Sequence, residues 1–240
     1  MSYHDPTDHA AWMEEFVRRA SGLLPPALLR SSGAVLYSSN RTLAPGRYYL
    51  MGLNPGGDPQ GESVGQSLRS LLVYEGNAYL DEDWSTPRKT YGVGRAPLQR
   101  NVQLLGDAIL SVGVRTVCAA NLIFCRSRVG VGIDYPSDAD SCWPVHEVMI
   151  ERVNPQALVV FGNGPKSPYA YLRAKLAGHG PESSVLAGHA DWTCRSFTTV
   201  LCGAERAVIG LPHLSRYKLG GRPRVARWIR EQAGLQPPQG

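Results

Sequence analysis

The chain has 240 residues, of which 43% are apolar and 19% charged, with 26 Gly, 18 Pro and a formal net charge of +5. These values exclude a collagen-like chain, a long coiled coil and a wholly disordered one, and leave ample length for a sizeable core. No run approaches the roughly 20 apolar residues of a membrane-crossing helix. The start, MSYHDPTDHA, has no basic stretch leading into an apolar one, so neither a membrane nor a secretory leader is expected. The five cysteines, Cys118, Cys125, Cys142, Cys194 and Cys202, are odd in number and scattered. They read as reduced thiols of a cytoplasmic protein. Their spacings do not match the close pairs of a structural zinc site, and no metal or cofactor is expected.

In chain order, Trp12, Phe16 and Ala20 recur at spacing four, which predicts a helix over residues 8–19. Pro25 and Pro26 end it, with room for a second short helix over 23–29. Tyr48-Tyr49-Leu50-Met51-Gly52-Leu53 is a strand that stops abruptly at Asn54-Pro55-Gly56-Gly57. A helix is expected over 63–74. Residues 75–97 then form a polar, weakly periodic surface excursion, and loops of this length are often functional. Helical spacing returns over 98–110, followed by a strand over 116–124 that ends near Asn121. A helix over 145–153, a strand over 157–161 and a helix over 169–176 follow. Further strands are expected at 197–202 and 207–211, before a last helix over 225–232.

Apolar runs without alternation, separated by helical segments, predict an α/β fold: a mainly parallel, four-stranded sheet with helices on both faces. No linker divides the series, so a single domain over 1–240 is expected. It would carry a helical extension at about 8–30 and a frayed tail at about 233–240. In such sheets the ligand crevice lies outside the carboxyl ends of the strands. The polar residues expected there are Asn54, Asn121, Asn163 and His213. From Gly203 onward seven bases face two acids, an excess equal to the whole net charge. A local basic field of this kind suits a polyanion.

Two segments together resemble the uracil-DNA glycosylase superfamily. Gly52-Leu53-Asn54-Pro55-Gly56 is similar to its first motif, in the G-x-N-P-G form of the mismatch-specific and single-strand-selective branches. Pro212-His213-Leu214-Ser215-Arg216-Tyr217 is similar to its second motif, with Leu214 and Arg216 where prolines are usual. The resemblance spans roughly residues 48–230. It implies a uracil-DNA glycosylase-like three-layer α/β/α fold and a monofunctional glycosylase acting on DNA that contains a damaged base, working as a monomer. It implies that Asn54 positions the attacking water and that His213 donates to O2 of the departing base. Asn121 would read the O4/N3 edge, and Gly56 would leave open a space that some relatives fill with tyrosine. Tyr217 would take the place of the residue that wedges into the duplex. Ser215, Arg216, Lys218 and Arg222 would contact DNA. Phe124, three residues beyond Asn121, is the expected ring stacked on the base. A weakly catalytic DNA-binding relative, or a small-molecule enzyme on the same fold, are the alternatives.

Overall fold

The computed structural model describes residues 6–57, 60–86, 88–127, 132–176 and 179–235. The strands are β1 (Tyr48–Gly52), β2 (Cys118–Asn121), β3 (Ala157–Phe161), β4 (Ser183–Leu186), β5 (Thr193–Leu201) and β6 (Ala204–Leu211). They form one sheet in the order β2-β1-β3-β6-β5-β4. The first four in that order run parallel, while β5 and β4 run antiparallel to their neighbours. The sheet is therefore mixed and six-stranded, which corrects the expectation of four strands. The difference arises in a hairpin. Cys202 and Gly203 join β5 to β6 with φ of 50° and 74°. Two positive values in a two-residue loop match the turn whose twist suits antiparallel strands. The buried–exposed alternation of β5 fits that arrangement as well.

The helices are α1 (Pro6–Leu23), α2 (Pro26–Arg30), α3 (Val64–Ser70), α4 (Pro97–Leu104), α5 (Ser137–Val153), α6 (Pro168–Lys175) and α7 (Pro223–Gln232). They cover both faces of the sheet. Tyr49, Met51, Cys118, Ala120, Leu158, Val160 and Val208 pack with α1, α3, α5 and α6. The alternate residues Tyr48, Leu50, Ala119, Val159, Ile209 and Leu211 pack with α4 and α7. Successive side chains of a strand point to opposite faces, so strands covered on both sides must be apolar throughout. That is why β1, β2 and β3 are buried along their whole length.

Local chemistry sets the helix ends. Ser63 and Gln66 form a reciprocal capping box at α3. Ser167 caps α6, with Pro168 at its first position. α5 starts earlier than expected because it runs straight through Pro144, and it ends on Asn154 at φ 48°. The expected N-terminal extension is instead part of the core. Met13, Phe16, Val17 and Ala20 are buried, and α1 rests on α3 and α5. At the other end Ala233 is buried and the Leu235 N–H bonds the Arg230 carbonyl, so the expected fraying does not begin at 233. Residues 236–240 lie outside the described residues.

Candidate active site at the carboxyl edge of the sheet

The parallel strands all deliver their carboxyl ends to one edge. β1 and β2 are in register there, with Gly52 opposite Asn121. The pairing continues past both strands through Leu122 N–H to the Gly52 carbonyl and Ile123 N–H to the Leu53 carbonyl, each at 2.9 Å. A Cβ on Gly52 would collide with the side-chain oxygen of Asn121. Glycine at 52 is thus what lets the Asn121 amide lie across β1. Asn121 is only 5% exposed, and its Nδ2 is buried without a partner. Such groups are uncommon in native proteins and costly to leave unpaired.

Asn54 stands just beyond β1. Its Nδ2 donates to the Pro55 carbonyl at 2.8 Å and to Ser127 Oγ at 2.9 Å. Ser127 in turn donates its N–H to the Pro55 carbonyl at 3.0 Å. With both amide hydrogens engaged, the side-chain oxygen faces outward chemistry only as an acceptor. The loops after β1 and β2 are stitched further by Arg126, whose Nη1 donates to the Gly56 carbonyl at 2.6 Å.

His213 follows β6. Met51 pairs with Val160 and Phe161 pairs with Leu211. Counting on from that register sets Asn54, Asn163 and His213 in one row across β1, β3 and β6. Two strand spacings, roughly 10 Å, separate β1 from β6. Asn163 has a structural task in that row: its Nδ2 reaches the carbonyls of Thr193 and Gly210. His213 is exposed. Its Nδ1 lies 2.7 Å from Ser215 Oγ and 3.3 Å from the Ser215 N–H. An amide hydrogen aimed at Nδ1 leaves the neutral ring with its proton on Nε2. Protein packed around the ring, and then Arg216, lower the imidazole pKa below its ordinary value. His213 is thereby set as a neutral donor through Nε2.

Asn101 of α4 fixes the loop that carries His213. Its Nδ2 donates to the Leu214 carbonyl at 2.8 Å, and its Oδ1 accepts the Leu219 N–H at 3.0 Å. Leu214 itself is fully buried. Anchoring by a side chain from a neighbouring helix does here what a proline after His213 does through a fixed φ.

Several anticipated residues are placed otherwise. Tyr217 is 1% exposed, its hydroxyl bonds the Ala187 carbonyl, and Arg222 lies over its ring at 5.2 Å. A ring so enclosed is a core residue, which corrects its reading as a wedge. Arg222 donates to the carbonyls of Lys218 and Gly188, so its guanidinium braces the loop. Phe124 is fully buried, with His146 5.0 Å from it and Cys142 accepting its N–H. It has no exposed face for stacking. Gly56 is exposed, and a Cβ there would meet nothing within 4 Å. Ser215, Arg216 and Lys218 are exposed as expected of surface contacts.

Two residues escaped the sequence reading. Tyr37, from the irregular segment before β1, lies beside Asn121 and within the fields of Arg126 and Glu82. Burial raises its phenol pKa above the ordinary value, so it stays protonated. Its ring packs on Tyr79 and Trp84. The 75–97 excursion brings in Glu82 and Trp84, and Gln99 holds it through the carbonyls of Ala78 and Glu82. Arg126 is the second. Its position five residues past Asn121 in the same strand-end loop was the available signal. Elsewhere, a depression of about 320 Å³ lined by Arg19, Leu23, Glu147 and Cys202 lies between α1 and α5, and none of the strand-end residues lines it. Among the described residues, no His, Cys, Asp or Glu cluster is suited to a metal ion, and no helix is long and apolar enough to cross a membrane.

No protein-family model matches the chain, and no curated protein matches it.

Proposed function

We propose that this protein is a DNA glycosylase that removes uracil, or a related deaminated or modified base, by hydrolysing the N-glycosidic bond. The observation that carries the reading is the buried Asn121 amide with an unpartnered Nδ2, at a strand end adjacent to the one that precedes Asn54. An orphaned donor at the mouth of a sheet calls for an acceptor from a ligand, and a base carbonyl supplies one. The motif resemblance at 52–56 and 212–217 supports the same reading.

The chemistry suits the parts. Breaking the bond leaves positive charge on the sugar and negative charge on the base. The Asn54 oxygen accepts from a water and orients it toward the electrophilic sugar carbon. The Nε2–H of His213 donates where negative charge grows on the base. Asparagine is no strong base, so orientation, not proton abstraction, is its contribution. The nucleotide must leave the stack first, which costs a few kcal/mol. Contacts from Arg216 and Lys218 to the backbone offset part of that cost.

A second reading, a DNA-binding relative with little excision, draws on the exposure of His213 and on Leu214 in place of proline. Labelled oligonucleotides carrying uracil, hypoxanthine, xanthine or 5-modified uracils, single- and double-stranded, separate the two. Release of any of these bases supports the glycosylase. Tight binding to all of them with no release supports the second reading.

A further inference from the structure

Asn121 alone is an ambiguous reader. A carboxamide turned over about its last bond exchanges donor for acceptor with almost no change of shape. It can meet a ring carbonyl with its NH₂ or a ring amino group with its oxygen. A site that distinguishes the two needs a donor that cannot invert.

Arg126 is such a group. A guanidinium has donors only and does not lose its proton at any working pH. Its Nη1 is held by the Gly56 carbonyl at 2.6 Å, within the loop that begins at Asn54. Its Nε is buried and has no partner. Two unpartnered buried donors, Asn121 Nδ2 and Arg126 Nε, thus stand five residues apart in one strand-end segment. Tyr37 links them: it lies beside Asn121, and Arg126 is the charged group it feels most strongly. Its hydroxyl adds a third donor to the same spot.

We propose that Arg126, with Tyr37, is the specificity-determining element of this site, selecting bases with a ring carbonyl beside Asn121 over bases with an amino group there. The proposal rests on the glycosylase reading for its ligand class. A carbonyl oxygen has lone pairs to satisfy these donors. An amino group would face donors with donors and leave buried N–H groups unmatched, which is how polar sites reject near-isosteres. The charge on Arg126 also keeps the pocket polarity fixed whichever way the Asn121 amide lies.

The test is the preference for free uracil over free cytosine, measured by NMR titration of the full chain, together with base release from oligonucleotides carrying each base. Wild-type protein is expected to bind uracil in preference. In Arg126→Met the preference should fall by about tenfold to a hundredfold, the range for a hydrogen bond to a charged donor. Because Arg126 also braces the loop at Gly56, Tyr37→Phe serves as the second variant. It leaves that brace intact and should lower the preference by a smaller factor. An unchanged preference in folded Arg126→Met overturns the proposal. If Arg126→Met does not fold, an unchanged preference in Tyr37→Phe does so, as does wild-type protein that binds neither base. Wild-type protein that releases no base from DNA, yet binds free uracil in an Arg126-dependent way, defeats the glycosylase reading and leaves this selection standing.

Discussion

At the scale of single residues, the protonation state of His213 is the most informative detail. The Ser215 amide occupies Nδ1, and the ring pKa lies below its ordinary value through burial and then Arg216. A lowered pKa makes the neutral form the prevailing one at pH 7. Single-turnover excision is therefore expected to hold level from about pH 7 to 9, since the ordinary imidazole range near 6.5 is already passed. A rate that falls as pH rises through 7 would instead require an imidazolium donor. Replacing His213 with alanine should cost about 2–4 kcal/mol of transition-state stabilisation, as for a typical oxyanion donor, with DNA affinity retained. At Gly56 the space is open. Gly56→Tyr is expected to lower activity on 5-methyl-substituted bases more than on uracil, and equal losses on both would remove Gly56 from the site.

At the scale of elements, the loop after β6 depends on α4. Asn101→Ala removes the bonds to Leu214 and Leu219, at roughly 1 kcal/mol each. The Leu219 amide should then exchange faster with solvent, and kcat should fall with the His213 geometry. Unaltered Leu219 exchange would show that the loop holds its shape without α4. α5 is tied to the end of β2 by His146, whose Nδ1 meets the Tyr49 hydroxyl at 2.9 Å and whose Nε2 meets the Leu122 carbonyl at 3.1 Å. Burial pushes its pKa down to about 4. The unfolded chain then binds a proton that the folded one refuses. Stability is full above about pH 6.5 and is lost as pH falls toward 4, by roughly 3 kcal/mol in total. Urea unfolding at pH 7 and pH 4.5 measures that loss, and His146→Asn should shrink it. The sequence made the parallel half of the sheet readable because β1, β2 and β3 are short apolar runs. It hid β4, whose Ser183-Ser184-Val185-Leu186 is half polar with Leu186 exposed, as an edge strand allows. It hid the first turns of α5 behind Pro144, and it hid Tyr37 because no periodic segment carries it. Asn54, Asn121 and His213 were readable because each stands at or just past the end of an apolar run.

At the scale of the whole molecule, the basic C-terminal region is less free than its composition suggests. Arg206 is buried and bonds the carbonyls of Leu201 and Pro155. Arg222 and Arg230 are also committed to carbonyls. Arg216, Lys218, Arg224 and Arg227 remain exposed, and the first two adjoin His213. Duplex binding should weaken with salt, and the double variant Arg216→Ala, Lys218→Ala should make the slope of log K against log[salt] shallower by up to ~1.8, about 0.9 for each phosphate contact. An unchanged slope and affinity would assign these two charges to solubility. The central claim is that the carboxyl edge of this sheet hydrolyses a glycosidic bond. It is tested most directly by mass-spectrometric detection of free base released from a uracil-containing oligonucleotide, in step with the appearance of abasic sites. The account predicts release by wild-type protein, and near-complete loss in the double variant Asn54→Ala, His213→Ala with DNA binding preserved. Undiminished release by that double variant would contradict it.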